Sequence, residues 1–129
     1  MAKSLVMVLG VVFVVVGVLG FFNNPVLGLF EVDAVHNIVH LLSGIVALLM
    51  ASMGEASAKT YAKVFGLIYG LVTVLGFIMG GDGKVLGLMQ INGADNILHV
   101  LLTLILLYVG FSRSSSPSMG SPMGGGTGM

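Results

Sequence analysis

The sequence predicts an all-α fold embedded in a membrane, an integral four-helix bundle made of two parallel two-helix repeats. Three observations predict it. Apolar residues fill 57% of the 129 positions and charged residues 8%, with a mean hydropathy of +1.11, whereas a soluble domain carries roughly a quarter charged residues. Four apolar runs are separated by short polar or glycine-rich breaks, and the second half of the chain repeats the first. The composition also excludes functions. A net charge of zero offers no basic face to neutralise phosphates, so no nucleic-acid partner is expected. Without cysteine there is neither a disulfide framework nor a thiolate metal site.

The first run, 5–22, contains no charged residue; at ~1.5 Å per residue it crosses most of a ~30 Å hydrocarbon core. Lys3 in front of it resembles the start of a signal peptide. The length of the run, the lack of a small-x-small cleavage site after it and its counterpart downstream argue that it is retained. Asn23, Asn24 and Pro25 stop this helix. The segment 26–30 is too short to span and too apolar for water, and is expected to lie at the membrane interface. A second helix is expected over about 34–53, with Asp33 as N-cap accepting free N–H groups of the first turn. A polar connector, 54–60, leads to a third helix over about 61–79, which the glycines around Asp82 break. The segment 85–89 repeats the interfacial one, and a fourth helix is expected over about 94–111. The last stretch, 112–129, is Ser, Gly, Pro and Met apart from Arg113 and Thr127, a composition that buries no core and is expected to be disordered.

The repeats are placed at 2–53 and 58–111. Ala2-Lys3-Ser4 through Val18-Leu19-Gly20-Phe21 matches Ala58-Lys59-Thr60 through Val74-Leu75-Gly76-Phe77 without a gap. After a three-residue insertion near Gly81–Gly83, Val26-Leu27-Gly28-Leu29 matches Val85-Leu86-Gly87-Leu88, and Asn37, Ile38 and His40 match Asn96, Ile97 and His99. Each repeat is a helical hairpin, so both cross in the same sense, as parallel repeats about a pseudo-twofold axis along the membrane normal. Lys3, Lys59, Lys63 and Arg113 mark one set of helix ends; Lys84 is alone at the other, with Glu31, Asp33, Asp82 and Asp95. The positive-inside rule then puts both termini in the cytoplasm of a multi-pass cell-membrane protein, and the histidines near the outer face. Small residues that let helices approach in lipid form stripes: Ser43, Ala47 and Ala51 on the second helix, Gly66 and Gly70 on the third, Gly10, Gly17 and Gly20 on the first.

All three histidines lie in the matched segments 33–40 and 92–99. His36 and His40 are four apart and share a helix face, as do Asp95 and His99. Lipid is a poor place for these groups, so His36, His40, Asp95 and His99 are expected to converge at the outer end of the bundle. Three chemistries compete there. One is a hydrogen-bonded network joining the repeats, worth ~1 kcal/mol or less per pair. A second is a transition-metal site, most simply tetrahedral Zn²⁺ on three imidazoles and a carboxylate, with the helix N-termini favouring neutral histidine and ionised Asp95. The third is proton or ion handling, or a b-type haem between His40 and His99; four short helices leave little space for a porphyrin, and the inner half of the bundle continues no polar line. Met119, Met123 and Met129 suggest thioether copper capture but sit among glycines far from any histidine, and read as composition. No nucleophile–base pair or phosphate loop supports an enzyme.

The segment His36-Asn37-Ile38-Val39-His40-Leu41, echoed by Asp95-Asn96-Ile97-Leu98-His99-Val100, resembles a family of small, uncharacterised bacterial four-helix membrane proteins classed as a domain of unknown function. The resemblance covers about 5–111 and implies a four-helix integral membrane protein without a known activity. The echo departs from the first copy by carrying Asp95 where His36 stands. The function expected is non-enzymatic: a structural or accessory membrane protein whose partners are the lipid bilayer and either itself or the other subunits of a larger membrane complex. The alternative is a metal- or haem-binding membrane protein using His36, His40, Asp95 and His99.

Overall fold

The computed structural model of the chain describes residues 1–30, 32–79 and 83–112. Glu31, Asp82, Arg113 and the expected tail beyond Ser112 lie outside the described residues. The elements in order are α1 (Ala2–Phe22), α2 (Ala34–Ser52), α3 (Glu55–Ile78), a hairpin of β1 (Gly83–Val85) and β2 (Met89–Ile91), and α4 (Gly93–Phe111). All four helices are long and apolar enough to cross a membrane, and they display leucines such as Leu49, Leu67 and Leu104 on their outer faces. Such a surface is untenable in water and suits lipid. The chain is a multi-pass membrane protein with a helical bundle fold.

Apolar burial does not hold helices together in lipid, so close packing must. α1 packs chiefly on α2 and α3 chiefly on α4, with α3 also lying against α1 and α2. The glycine stripes sit at these crossings. A Cβ added to Gly10 would stand 2.9 Å from Leu48 Cδ2, and one on Gly17 2.8 Å from Leu41 Cγ. On the other pair, a Cβ on Gly66 would stand 2.9 Å from Leu107 Cδ2. Gly20 and Gly76 make the closest approaches: a Cβ at either would overlap the side-chain amide oxygen of Asn37 or Asn96. Between the pairs lie small or slender buried residues, Ala2, Val6, Ala47 and Ala51 with Ala58 and Ala62.

One expectation changes. The stretch after Gly54 is helix and not connector, because Gly54 alone makes the turn at φ 122° and the good helix formers Glu55, Ala56, Ala58 and Lys59 follow it. Glu55 also serves α1, its carboxylate accepting the N–H groups of Ala2 (2.7 Å) and Lys3 (2.9 Å), donors that a helix N-terminus otherwise leaves free. The segments expected at the interface are built as tight turns. Leu27 and Gly28 have φ of 52° and 71°, and Leu86 and Gly87 have 54° and 71°. Two consecutive positive φ values give a type I′ turn, closed by Leu29 N–H to Val26 O and Leu88 N–H to Val85 O, both 3.0 Å. The leucines at the tips point out while Val26 and Val85 point in. The second turn joins β1 to β2, and β2 is laid across the start of α2.

Candidate metal centre

Each histidine is placed by a helix start. Asp33 caps α2 as expected, its Oδ1 accepting His36 N–H at 2.9 Å. On α4 the N-cap is Asn92, which accepts Asp95 N–H at 2.9 Å while Asp95 Oδ2 accepts Asn92 N–H at 2.9 Å. This reciprocal capping box makes the first turn rigid and sets His99 one turn further in. His36 and His99 are 1% exposed and His40 5%.

The three rings meet. One ligating nitrogen from each of His36, His40 and His99 can be chosen so that all lie within 4.8 Å of one another. His40 Nε2 stands 3.0 Å from His36 Nε2, close to the nitrogen spacing around a tetrahedral ion with bonds of about 2.0 Å. Asp95, expected as a fourth ligand, does not join them; its carboxylate is placed in the capping box.

The hydrogen bonds fix the tautomers. His36 Nδ1 is 2.7 Å from Gln90 O; a carbonyl only accepts, so Nδ1 carries the proton. In the neutral imidazole the lone pair is then on Nε2, turned toward the other rings, and His40 Nε2–H donates to it. A histidine that gives one N–H to a carbonyl and presents the other nitrogen is the arrangement of a metal ligand with its outer partner. Gln90 is held in turn, its N–H donating to Asp33 Oδ2 at 3.0 Å. His40 Nδ1 and His99 Nδ1 are buried and have no hydrogen-bond partner among the described residues.

Around the rings the walls are aromatic and apolar. Phe13 meets His40 edge-on at 5.5 Å, Tyr69 tilts over His99 at 5.6 Å, and Phe13 and Tyr69 stack at 5.5 Å. A cavity of about 30 Å³ borders the three histidines, lined also by Val39, Ser43, Ile68, Tyr69, Val72 and Met89. That is room for one water or one ion. A porphyrin does not fit that volume, and His36 packs against both His40 and His99.

The sequence pattern placed the three histidines together but missed three supporting parts. Asn92 followed three residues later by Asp95 was a readable capping signal. Gln90 and Met89 reach the site only through the hairpin, more than fifty residues from His36, and no local spacing announces them.

No curated protein and no solved structure matches the chain. One family profile does, that of the domain of unknown function DUF4383, over residues 3–112. This is nearly all of the described chain and agrees with membership of an uncharacterised family, and the protein therefore belongs to the DUF4383 family.

Proposed function

We propose that this protein holds a transition-metal ion between His36, His40 and His99, near the outer face of the membrane, and does so without catalysing a reaction. The observation that carries the reading is the convergence of three buried imidazoles from two helices within 4.8 Å. Loading moves the His40 proton from Nε2 to Nδ1 and frees Nε2 as a ligand.

Elemental analysis of detergent-purified protein, beside a His40→Ala/His99→Ala variant, tests this. Near-stoichiometric metal that disappears in the variant is the expected result. Protein that stays metal-free when challenged with Zn²⁺ and Cu⁺ would overturn the reading.

A second reading, a structural or accessory membrane protein that self-associates or serves a larger complex, is supported by one set of bonds. His36 to Gln90 O and His40 to His36 tie α2 to β2 without any ion. In both readings the architecture is an internal duplication about a pseudo-twofold axis. The shared dihedrals of the two leucine–glycine turns support it. So do Phe13 stacking on its counterpart Tyr69 and His40 facing its counterpart His99, since residues that meet their own equivalents lie on a twofold axis. Lys59 Nζ donates to Ser112 O and Lys63 Nζ lies 5.3 Å from the Phe111 ring, which gathers positive charge at the end we assign to the cytoplasm.

A further inference from the structure

We infer that the ion is Cu⁺, with the Met89 thioether as a fourth donor beside the three imidazoles. The inference rests on the metal-binding reading above and narrows it. Met89 is on β2, buried to 8% exposure, and lines the same small cavity as His36, His40 and His99. A thioether is a soft donor that selects Cu⁺ over harder divalent ions, and imidazole suits copper as well as zinc.

Charge points the same way. The three grouped residues include no carboxylate. Asp33 spends its two oxygens on His36 N–H and Gln90 N–H, and Asp95 closes the α4 capping box. The donors are therefore neutral, and the ion keeps its full charge in a medium of low dielectric constant. The cost of burying an ion grows with the square of its charge, so a divalent ion costs about four times as much as a monovalent one of equal size. A Zn²⁺ ion on three imidazoles takes a water or hydroxide as its fourth ligand, whereas a thioether in that place suits Cu⁺.

The hairpin makes the fourth donor a separable part. Its counterpart in the first half of the chain is Phe30, so the two halves are not interchangeable here. Cu⁺ and Zn²⁺ are titrated separately into the detergent-solubilised full chain without oxygen, against bicinchoninate for Cu⁺ and a zinc chelator for Zn²⁺. The proposal expects one Cu⁺ per chain held against the competitor and much weaker Zn²⁺ binding. Met89→Leu, which conserves volume, should lower Cu⁺ affinity by about tenfold or more and leave Zn²⁺ affinity unchanged. Met89→His should shift the preference toward Zn²⁺. Circular dichroism and gel filtration establish that each variant is folded. Zn²⁺ bound as tightly as Cu⁺, or a folded Met89→Leu protein with unchanged Cu⁺ affinity, would overturn the copper assignment and leave the metal-binding reading standing. Failure of the parent protein to bind either ion would overturn both.

Discussion

His36 uses its two ring nitrogens for different tasks. Nδ1–H is fixed by the Gln90 carbonyl, and Nε2 is thereby held toward His40 at 3.0 Å. Its place in the cluster was legible in the chain because His36 and His40 share a helix face and the second half carries His99 at the matched place. Asp95 has the identity and spacing of a ligand, but its carboxylate accepts Asn92 N–H in the α4 cap and it stands outside the group of three histidines. Asn37 and Asn96 had no assigned work in the sequence; each fills the space over a glycine of the neighbouring helix, Gly20 or Gly76. Gly20→Ala should therefore lower thermal stability in detergent, by about 1–3 kcal/mol as overpacking does. Gly93→Ala, with nothing within 4 Å of the added carbon, should be neutral or slightly stabilising, and parallel melting curves compare the two.

Helices were the most legible elements, because each apolar run has a stop or a cap at its ends. Where the reading slipped, a single residue set the boundary. Gly54 turns the chain alone, so α3 begins at Glu55, in a stretch whose polarity suggested a connector. The turn geometry of 26–29 and 85–88 was not legible, because leucine rarely takes the left-handed conformation and nothing in Val-Leu-Gly-Leu but the glycine hints at a type I′ turn. Two predictions belong to the elements. Asn92→Ala removes the α4 cap and the bond from Asn92 Nδ2 to Leu29 O; it should cost about 1 kcal/mol, seen as a lower melting temperature. Glu55→Ala frees the first amides of α1, and hydrogen exchange at Ala2 and Lys3 should quicken while amides in mid-α1 do not change.

At the scale of the whole molecule, four spans and a pairing of α1 with α2 and α3 with α4 follow from hydropathy and from the order of the runs. The two pairs are packed differently, which hydropathy does not reveal. Gly17 and Gly44 of the first pair correspond to Thr73 and Thr103 in the second. Where Gly44 lets Val14 and the Gly10 carbonyl come close, Thr103 helps to line an apolar groove between α3 and α4 together with Gly66 and Gly70. The proposed orientation has a clean test because the chain has no cysteine. In intact cells, Leu27→Cys and Leu86→Cys should react with a membrane-impermeant maleimide, and Ser57→Cys should react only after the cells are opened. The reverse pattern would put the histidines at the cytoplasmic face.

The central claim is that the three histidines hold a metal, and X-ray absorption at the metal edge of the Cu⁺-loaded, detergent-purified chain tests it most directly. The account predicts a first shell of imidazole nitrogens with their outer-ring scattering, together with one sulfur that is lost in Met89→Leu. A shell of light atoms without imidazole scattering, unchanged in His40→Ala/His99→Ala, would contradict it.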